Sequence, residues 1–211
     1  VYDSANRYAK TIAKLSKGKK IPFTFRNLVS RKETKFLAPA EPAVIIGKLL
    51  GIPKAKVETA IREFKPLPHR LEVVGTYRGV TFVNDSAAIN PSATIAALKT
   101  LGSRVHTLIA GGLDRGLSYR KLAHEIEKNS VGLLILFPDT SKKILAHLRK
   151  NIPRYAVSNM KEAIRLSYAH TPKGKICLLS PASASFNMFK NFKERGDQFK
   201  RYASAYDKKN A

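Results

Sequence analysis

The chain has 211 residues, 44% of them hydrophobic, with 39 Lys+Arg against 15 Asp+Glu for a formal net charge of +24. That length and apolar content fit one domain, or one domain and part of another, and exclude a disordered chain. No apolar run approaches the ~18 residues of a membrane span, the N-terminus has no secretory pattern, and the lone Cys177 rules out a disulfide framework and a cysteine metal site; these features favour the cytoplasm.

Residues 1–66 read as an incomplete domain. A helix over 4–15, with Tyr8, Ile12 and Leu15 on one face, leads to a short strand over 21–25 and a basic polar loop. A second helix over 41–50 is stopped by Gly51 and Pro53, and a third over 55–64 carries Val57, Ala60, Ile61 and Phe64 at helical spacing. Because the chain opens at Val1 on a helix with no preceding strand, it reads as a piece of a longer protein. Two prolines in Lys65-Pro66-Leu67-Pro68-His69-Arg70 then break the periodicity and mark a boundary or hinge.

Beyond the boundary the pattern changes. Apolar stretches over 71–77 and 80–85 flank Arg78-Gly79 as a hairpin. Helices over 92–101, 119–128, 141–150 and 160–169 alternate with strands over 105–110, 131–137, 155–157 and 176–179, and a last helix over about 187–206 ends the series. The strands are mostly continuous apolar runs, as expected where both sheet faces are covered. Such alternation predicts an α/β fold with a doubly wound, mostly parallel sheet, Rossmann-like, over 67–211.

Loops that follow strand ends gather on one edge of such a sheet, where open α/β folds bind ligands. In Asn84-Asp85-Ser86-Ala87-Ala88-Ile89-Asn90-Pro91-Ser92, Asp85 suits a ribose hydroxyl or a metal, while Asn90 and Ser92 suit a helix cap. In Gly111-Gly112-Leu113-Asp114-Arg115-Gly116 the glycines read by themselves as a plain tight turn, or else let a ligand approach the backbone, and Arg115 suits a carboxylate or phosphate. The stretch Ser180-Pro181-Ala182-Ser183-Ala184-Ser185 is a small-residue turn before a helix with Phe189, Phe192 and Phe199 on one face. Helix-start N–H groups there would suit an anion, or Ser185 would merely cap the helix. No P-loop, metal-ligand spacing or serine-elbow motif occurs, and His106, His124, His147 and His170 read as structural. The basic residues are scattered, without the aromatic interleaving or finger spacing of a nucleic-acid module, so a nucleic-acid partner rests on charge alone.

Taken together, these stretches resemble bacterial UDP-N-acetylmuramoyl-L-alanine:D-glutamate ligases of the Mur ligase family. Residues 64–72 are similar to the family's F-x-G-L-P-H-R-x-E junction, Asn84-Asp85-Ser86 to the start of N-D-S-K-A-T-N, and residues 111–116 to G-G-x-D-K-G. Residues 179–196 follow L-S-P-A-x-A-S-x-D-x-F-x-x-F-x-x-R-G almost throughout. The resemblance implies that 1–66 is the end of a central ATP-binding domain and 67–211 a complete C-terminal domain. It implies an ATP-dependent ligase of peptidoglycan precursor synthesis. ATP, with Mg2+, would phosphorylate the carboxylate of UDP-N-acetylmuramoyl-L-alanine, and the amine of D-glutamate would attack the acyl phosphate. It further implies nucleotide binding by His69, Arg70, Asn84 and Asp85, and amino-acid binding by Arg115, Ser185, Phe186, Phe192 and Ile89. Catalytic and metal-binding groups would lie upstream of Val1, and the enzyme would work as a cytoplasmic monomer without membrane or nucleic-acid partners.

The departures are specific. Ala87 and Ile89 stand at the Lys and Thr of N-D-S-K-A-T-N, Arg115 at the Lys of the glycine motif, Pro66 at the junction glycine and Asn187 at the last motif's Asp. The expected H-N-x-x-N that helps hold adenine reads Lys35-Phe36-Leu37-Ala38-Pro39. These leave open a relative acting on another amino acid and a degenerate binding module.

Overall fold

A computed structural model of the chain describes residues 1–24, 40–64 and 67–209. It divides into two compact units, Val1–Pro66 and Leu67–Ala211. In the first, β1 (Tyr2–Asp3) pairs in parallel with β2 (Pro22–Phe23), joined through α1 (Arg7–Leu15). The sequence gives no alternation that would announce so short a strand as β1. Asn6 caps α1, its Oδ1 accepting the N–H of Tyr8 and Ala9. α2 (Ala40–Leu49) packs on α3 (Lys54–Glu63). The apolar stripe of α1 is outward, with Tyr8, Ile12 and Leu15 all exposed. The Lys35–Pro39 stretch and the end of the strand expected to reach Phe25 lie outside the described residues.

The second unit is a six-stranded sheet in the order β3-β4-β8-β5-β6-β7. β3 (Glu72–Tyr77) and β4 (Val80–Asn84) form the antiparallel hairpin, turning at Arg78 and Gly79, both with positive φ (52° and 82°), as a tight two-residue hairpin requires. Every other pairing is parallel: β8 (Ile176–Leu179), β5 (Val105–Gly112), β6 (Leu133–Asp139) and β7 (Arg154–Ala156). α7 (Met160–His170) packs against α8 (Phe192–Lys209), and α4 (Pro91–Leu101) against α5 (Arg120–Lys128), which touches α6 (Thr140–Leu145). Ile109, Ile135, Cys177 and Leu179 join α7 and α8 in one apolar cluster, and the alternate residues Leu108, Leu134 and Leu178 are fully buried as well. Both faces are thus covered, which is why the strands read as unbroken apolar runs. β8, last in the chain, inserts between β4 and β5, so its carboxyl end opens between those of the first two parallel strands.

Three expected boundaries move. The helix expected to 150 ends at Leu145, because the Glu127 carboxylate accepts the backbone N–H of Arg149 and Lys150 and draws that segment away. Gly111 and Gly112 are the last residues of β5, Gly112 in register with Asp139 of β6 and Gly111 at the irregularity before it, rather than a turn. The last helix begins at Phe192 instead of about 187. The N–H of Glu194 donates to Asn191 Oδ1 (2.9 Å), and the Glu194 carboxylate accepts the N–H of Lys190 (2.6 Å). This is close to a capping box, and the Asn191-x-x-Glu194 spacing carried the signal.

Candidate functional site at the carboxyl edge of the sheet

β4, β8, β5 and β6 run parallel, so the loops leaving their carboxyl ends share one edge. Backbone bonds stitch these loops together. The N–H of Asp85 donates to the Leu179 carbonyl (2.8 Å), that of Gly111 to Pro181 (2.9 Å) and that of Leu113 to Ala184 (2.9 Å). Ser183 is the buried knot: its hydroxyl shares hydrogen bonds with Tyr119 Oη (2.9 Å) and Thr140 Oγ1 (2.8 Å). The Thr140 hydroxyl in turn donates to the Gly112 carbonyl (3.0 Å), tying the end of β6 to both neighbouring loops.

Asp85 sits at the end of β4, 7% exposed. Ser180 Oγ donates to its Oδ2 (2.7 Å) and the Leu71 N–H to its Oδ1 (3.2 Å). Burial is the largest influence on this carboxyl and pushes its pKa up to about 6, against the opposing hydrogen bonds and the Arg70 charge. A carboxyl that holds its proton more tightly folded than unfolded makes stability fall as pH rises between its two pKa values. The expected loss runs from about pH 4 to about pH 6, amounts to roughly 3 kcal/mol, and is complete above that window. Denaturant unfolding of wild type and Asp85→Asn across pH 4–7 checks this: the difference between them should follow that fall, and a flat difference would refute it.

His69 and Asn84 form the support under Arg70 and Asp85. Asn84 Nδ2 donates to His69 Nδ1 (3.0 Å) and to Glu72 Oε2 (3.0 Å), which also accepts the His69 N–H (2.9 Å). Burial, with Lys200 adding to it, holds the imidazole below its ordinary pKa. The neutral ring therefore accepts at Nδ1 and carries its proton at Nε2, which faces Asp197 at 3.8 Å. Gly196 lies against this ring: a Cβ there would meet His69 Nδ1 and Asn84 Nδ2, at 2.2 and 3.1 Å.

Arg195, in the first turn of α8, is fully buried with no carboxylate partner among the described residues. Its Nε donates to Ser86 Oγ (3.0 Å), Nη2 to the Ser86 carbonyl (2.9 Å) and Nη1 to the Ser183 carbonyl (3.1 Å). One guanidinium thus bolts the loop after β4 to the loop after β8. Burial pushes its pKa down to about 9. Sequence reasoning gave this residue no role; the signal was an Arg-Gly pair at the spacing that sets Arg195 and Gly196 on the helix face turned toward Ser86 and His69.

The remaining expected residues divide by exposure. Arg70, Arg115 and Phe186 are exposed, Ile89 and Phe192 half-buried, and Ser185 buried. Phe192 packs edge-on to His69, with 6.0 Å between ring centroids, and its carbonyl accepts the Ser86 hydroxyl (2.7 Å). The Ser185 carbonyl accepts the N–H of Met188 and Phe189. Because α8 starts only at Phe192, Ser185 is not its cap. Asn90 does cap α4, its Oδ1 accepting the Ala93 N–H.

A doubly wound unit with polar loops gathered at its switch point is the architecture in which open α/β sheets place their ligand sites. The family profile of the Mur ligase glutamate ligase domain matches residues 69–183, and the chain belongs to the Mur ligase family. It is 40% identical over 169 residues to the UDP-N-acetylmuramoylalanine–D-glutamate ligase of Caldanaerobacter subterraneus subsp. tengcongensis, covering 78% of this chain and 37% of that protein. With the enzyme of the same name from Aquifex aeolicus it is 36% identical over 161 residues, covering 76% and 39%. The chain therefore spans well under half the length of these relatives. Among solved structures, the MurF ligase from Thermotoga maritima in complex with ADP has the same fold, with a TM-score of 0.55 at 15% identity, over 80% of this chain and 37% of that one.

Proposed function

We propose that the protein of which this chain is part is an ATP-dependent ligase that joins D-glutamate to UDP-N-acetylmuramoyl-L-alanine through an acyl phosphate. The observation that carries this reading is the pairing of the glutamate ligase family profile with one sheet edge bearing Arg70 and Asp85 beside the serine loop. Residues 67–211 hold the incoming amino acid and part of the nucleotide; residues 1–66 are the end of the ATP-binding domain, and the catalytic groups lie upstream.

The exposed Arg70 would pair with nucleotide phosphate, and Asp85, whose oxygens already accept from Ser180 and Leu71, would take a ribose hydroxyl on a remaining lone pair, while His69 and Asn84 fix the turn that carries them. The ionised Asp85 carboxylate accepts a hydroxyl hydrogen bond more strongly than the protonated carboxyl, so nucleotide affinity should weaken below about pH 6. Arg115 supplies a cation for the dicarboxylate amino acid, framed by Ser185, Phe186, Phe192 and Ile89. Among the described residues no group of three or more His, Cys, Asp or Glu side chains would hold a metal; Mg2+ would be held by the nucleotide phosphates and upstream groups. We infer a cytoplasmic monomer acting on small molecules, its charge a solvated surface.

Ala87 and Ile89 favour a second reading, a relative specific for another amino acid, since they make apolar a lip that carries Lys and Thr in the resembling motif. Phosphate release by the full-length protein with ATP, Mg2+ and UDP-N-acetylmuramoyl-L-alanine tests both, D-glutamate being added first and other amino acids in turn. Turnover with D-glutamate supports the first reading and turnover only with another amino acid the second. No turnover with any defeats both and leaves a degenerate binding module.

A further inference from the structure

Asp139, at the end of β6, has φ 66° and ψ −85°, a conformation close to the rare positive-φ γ-turn that L residues seldom adopt. It is exposed and lies in register with Gly112, at the edge where the site loops gather. The backbone shape itself has a structural cause: the next residue, Thr140, is fully buried and must reach both the Gly112 carbonyl and Ser183. A glycine at 139 would make that turn without strain. The residue there is instead an aspartate, whose Oδ2 accepts a hydrogen bond from Asn187 Nδ2 at 2.9 Å.

Asn187 follows the exposed Phe186 in the turn that closes when Met188 and Phe189 donate to the Ser185 carbonyl. That turn has no helix to stiffen it, because α8 begins at Phe192. The Asp139–Asn187 bond is thus a side-chain tie between β6 and the segment carrying Ser185 and Phe186. It lies outside the Asp85–His69–Asn84 network.

We propose that Asp139 is a positioning residue for the incoming amino acid: through Asn187 it fixes the Ser185–Phe186 turn and so sets amino-acid affinity independently of nucleotide affinity. The inference rests on the assignment of that turn to the amino-acid side of the site.

The test is made in the full-length protein with Asp139→Gly, Asp139→Asn and Asn187→Ala. Asp139→Gly relieves the backbone, so its Tm should equal or exceed that of wild type. Its KM for the amino acid that supports turnover should rise about three- to tenfold, with the KM for ATP unchanged. Asn187→Ala should raise the same KM, whereas Asp139→Asn, which keeps an acceptor, should leave it near the wild-type value. Amide exchange reads the tie without turnover: Met188 and Phe189 should exchange faster in Asp139→Gly and Asn187→Ala. An unchanged amino-acid KM in an active enzyme, a fall in Tm with both KM values rising together, or unchanged exchange at those amides would each overturn the proposal. Wild type inactive with every amino acid would defeat the ligase reading, and exchange alone would then decide the tie.

Discussion

Arg195→Met is expected to destabilise the second unit by about 4 kcal/mol and, in the proposed ligase reaction, to lower kcat/KM of the full-length protein by about 100-fold or more. The side chain donates three hydrogen bonds, two of them to the buried backbone carbonyls of Ser86 and Ser183. Methionine fills much of the volume but leaves both carbonyls unpaired, at about 1–3 kcal/mol each. Release from holding a buried, uncompensated cation offsets part of this loss, which yields a sharper expectation. Arg195→Lys keeps that charge buried yet can reach only one or two of the three acceptors, so it should be less stable than Arg195→Met, by about 1 kcal/mol. Denaturant midpoints of the two variants give the order; a lysine variant more stable than the methionine one would show that charge, not the fork, matters. The activity loss arises because the loops after β4 and β8 carry the two halves of the proposed site, and an ångström of relative drift costs about two orders of magnitude.

Gly112→Ala should cost a similar amount, about 4 kcal/mol, from strain and overpacking together. Gly112 has φ 143°, and a Cβ there would stand 2.4 Å from the Ala184 carbonyl oxygen and 3.2 Å from Ser183 Cβ. Neither neighbour can yield: the Ala184 carbonyl already accepts the Leu113 N–H, and Ser183 is tied to Tyr119, Thr140 and Arg195. Alanine would ordinarily stabilise a chain by about 0.4–1 kcal/mol through the unfolded state, well below the cost of the clash. Thermal unfolding of the variant checks the sign, and a Tm at or above wild type would refute it.

Much of the fold was legible because its signals are local. The apolar runs that became β5, β6 and β8, the turn at Arg78-Gly79 and the Asn90 cap each lie within a few residues of the structure they specify. Boundaries moved where a distant group intervened. Glu127 captures the N–H of Arg149 and Lys150 from more than twenty residues away, and no local propensity records that.

The site divides the same way. The sequence by itself determined the βα alternation, the family to which the chain belongs, and which polar loops lie at strand ends, since periodicity and motif wording are properties of short stretches. Only the tertiary structure decided that β8 lies between β4 and β5, and with that placement the rest follows. It buries Asp85 beside Ser180, holding its carboxyl near pH 6, and commits His69 and Asn84 to each other. It also turns Arg195, unremarked in the sequence, into the bolt between two loops, reaching Ser86 from 109 residues away. Burial, the exclusion of water and the matching of donor to acceptor across such separations depend on how the chain packs, and packing is not written in any one stretch.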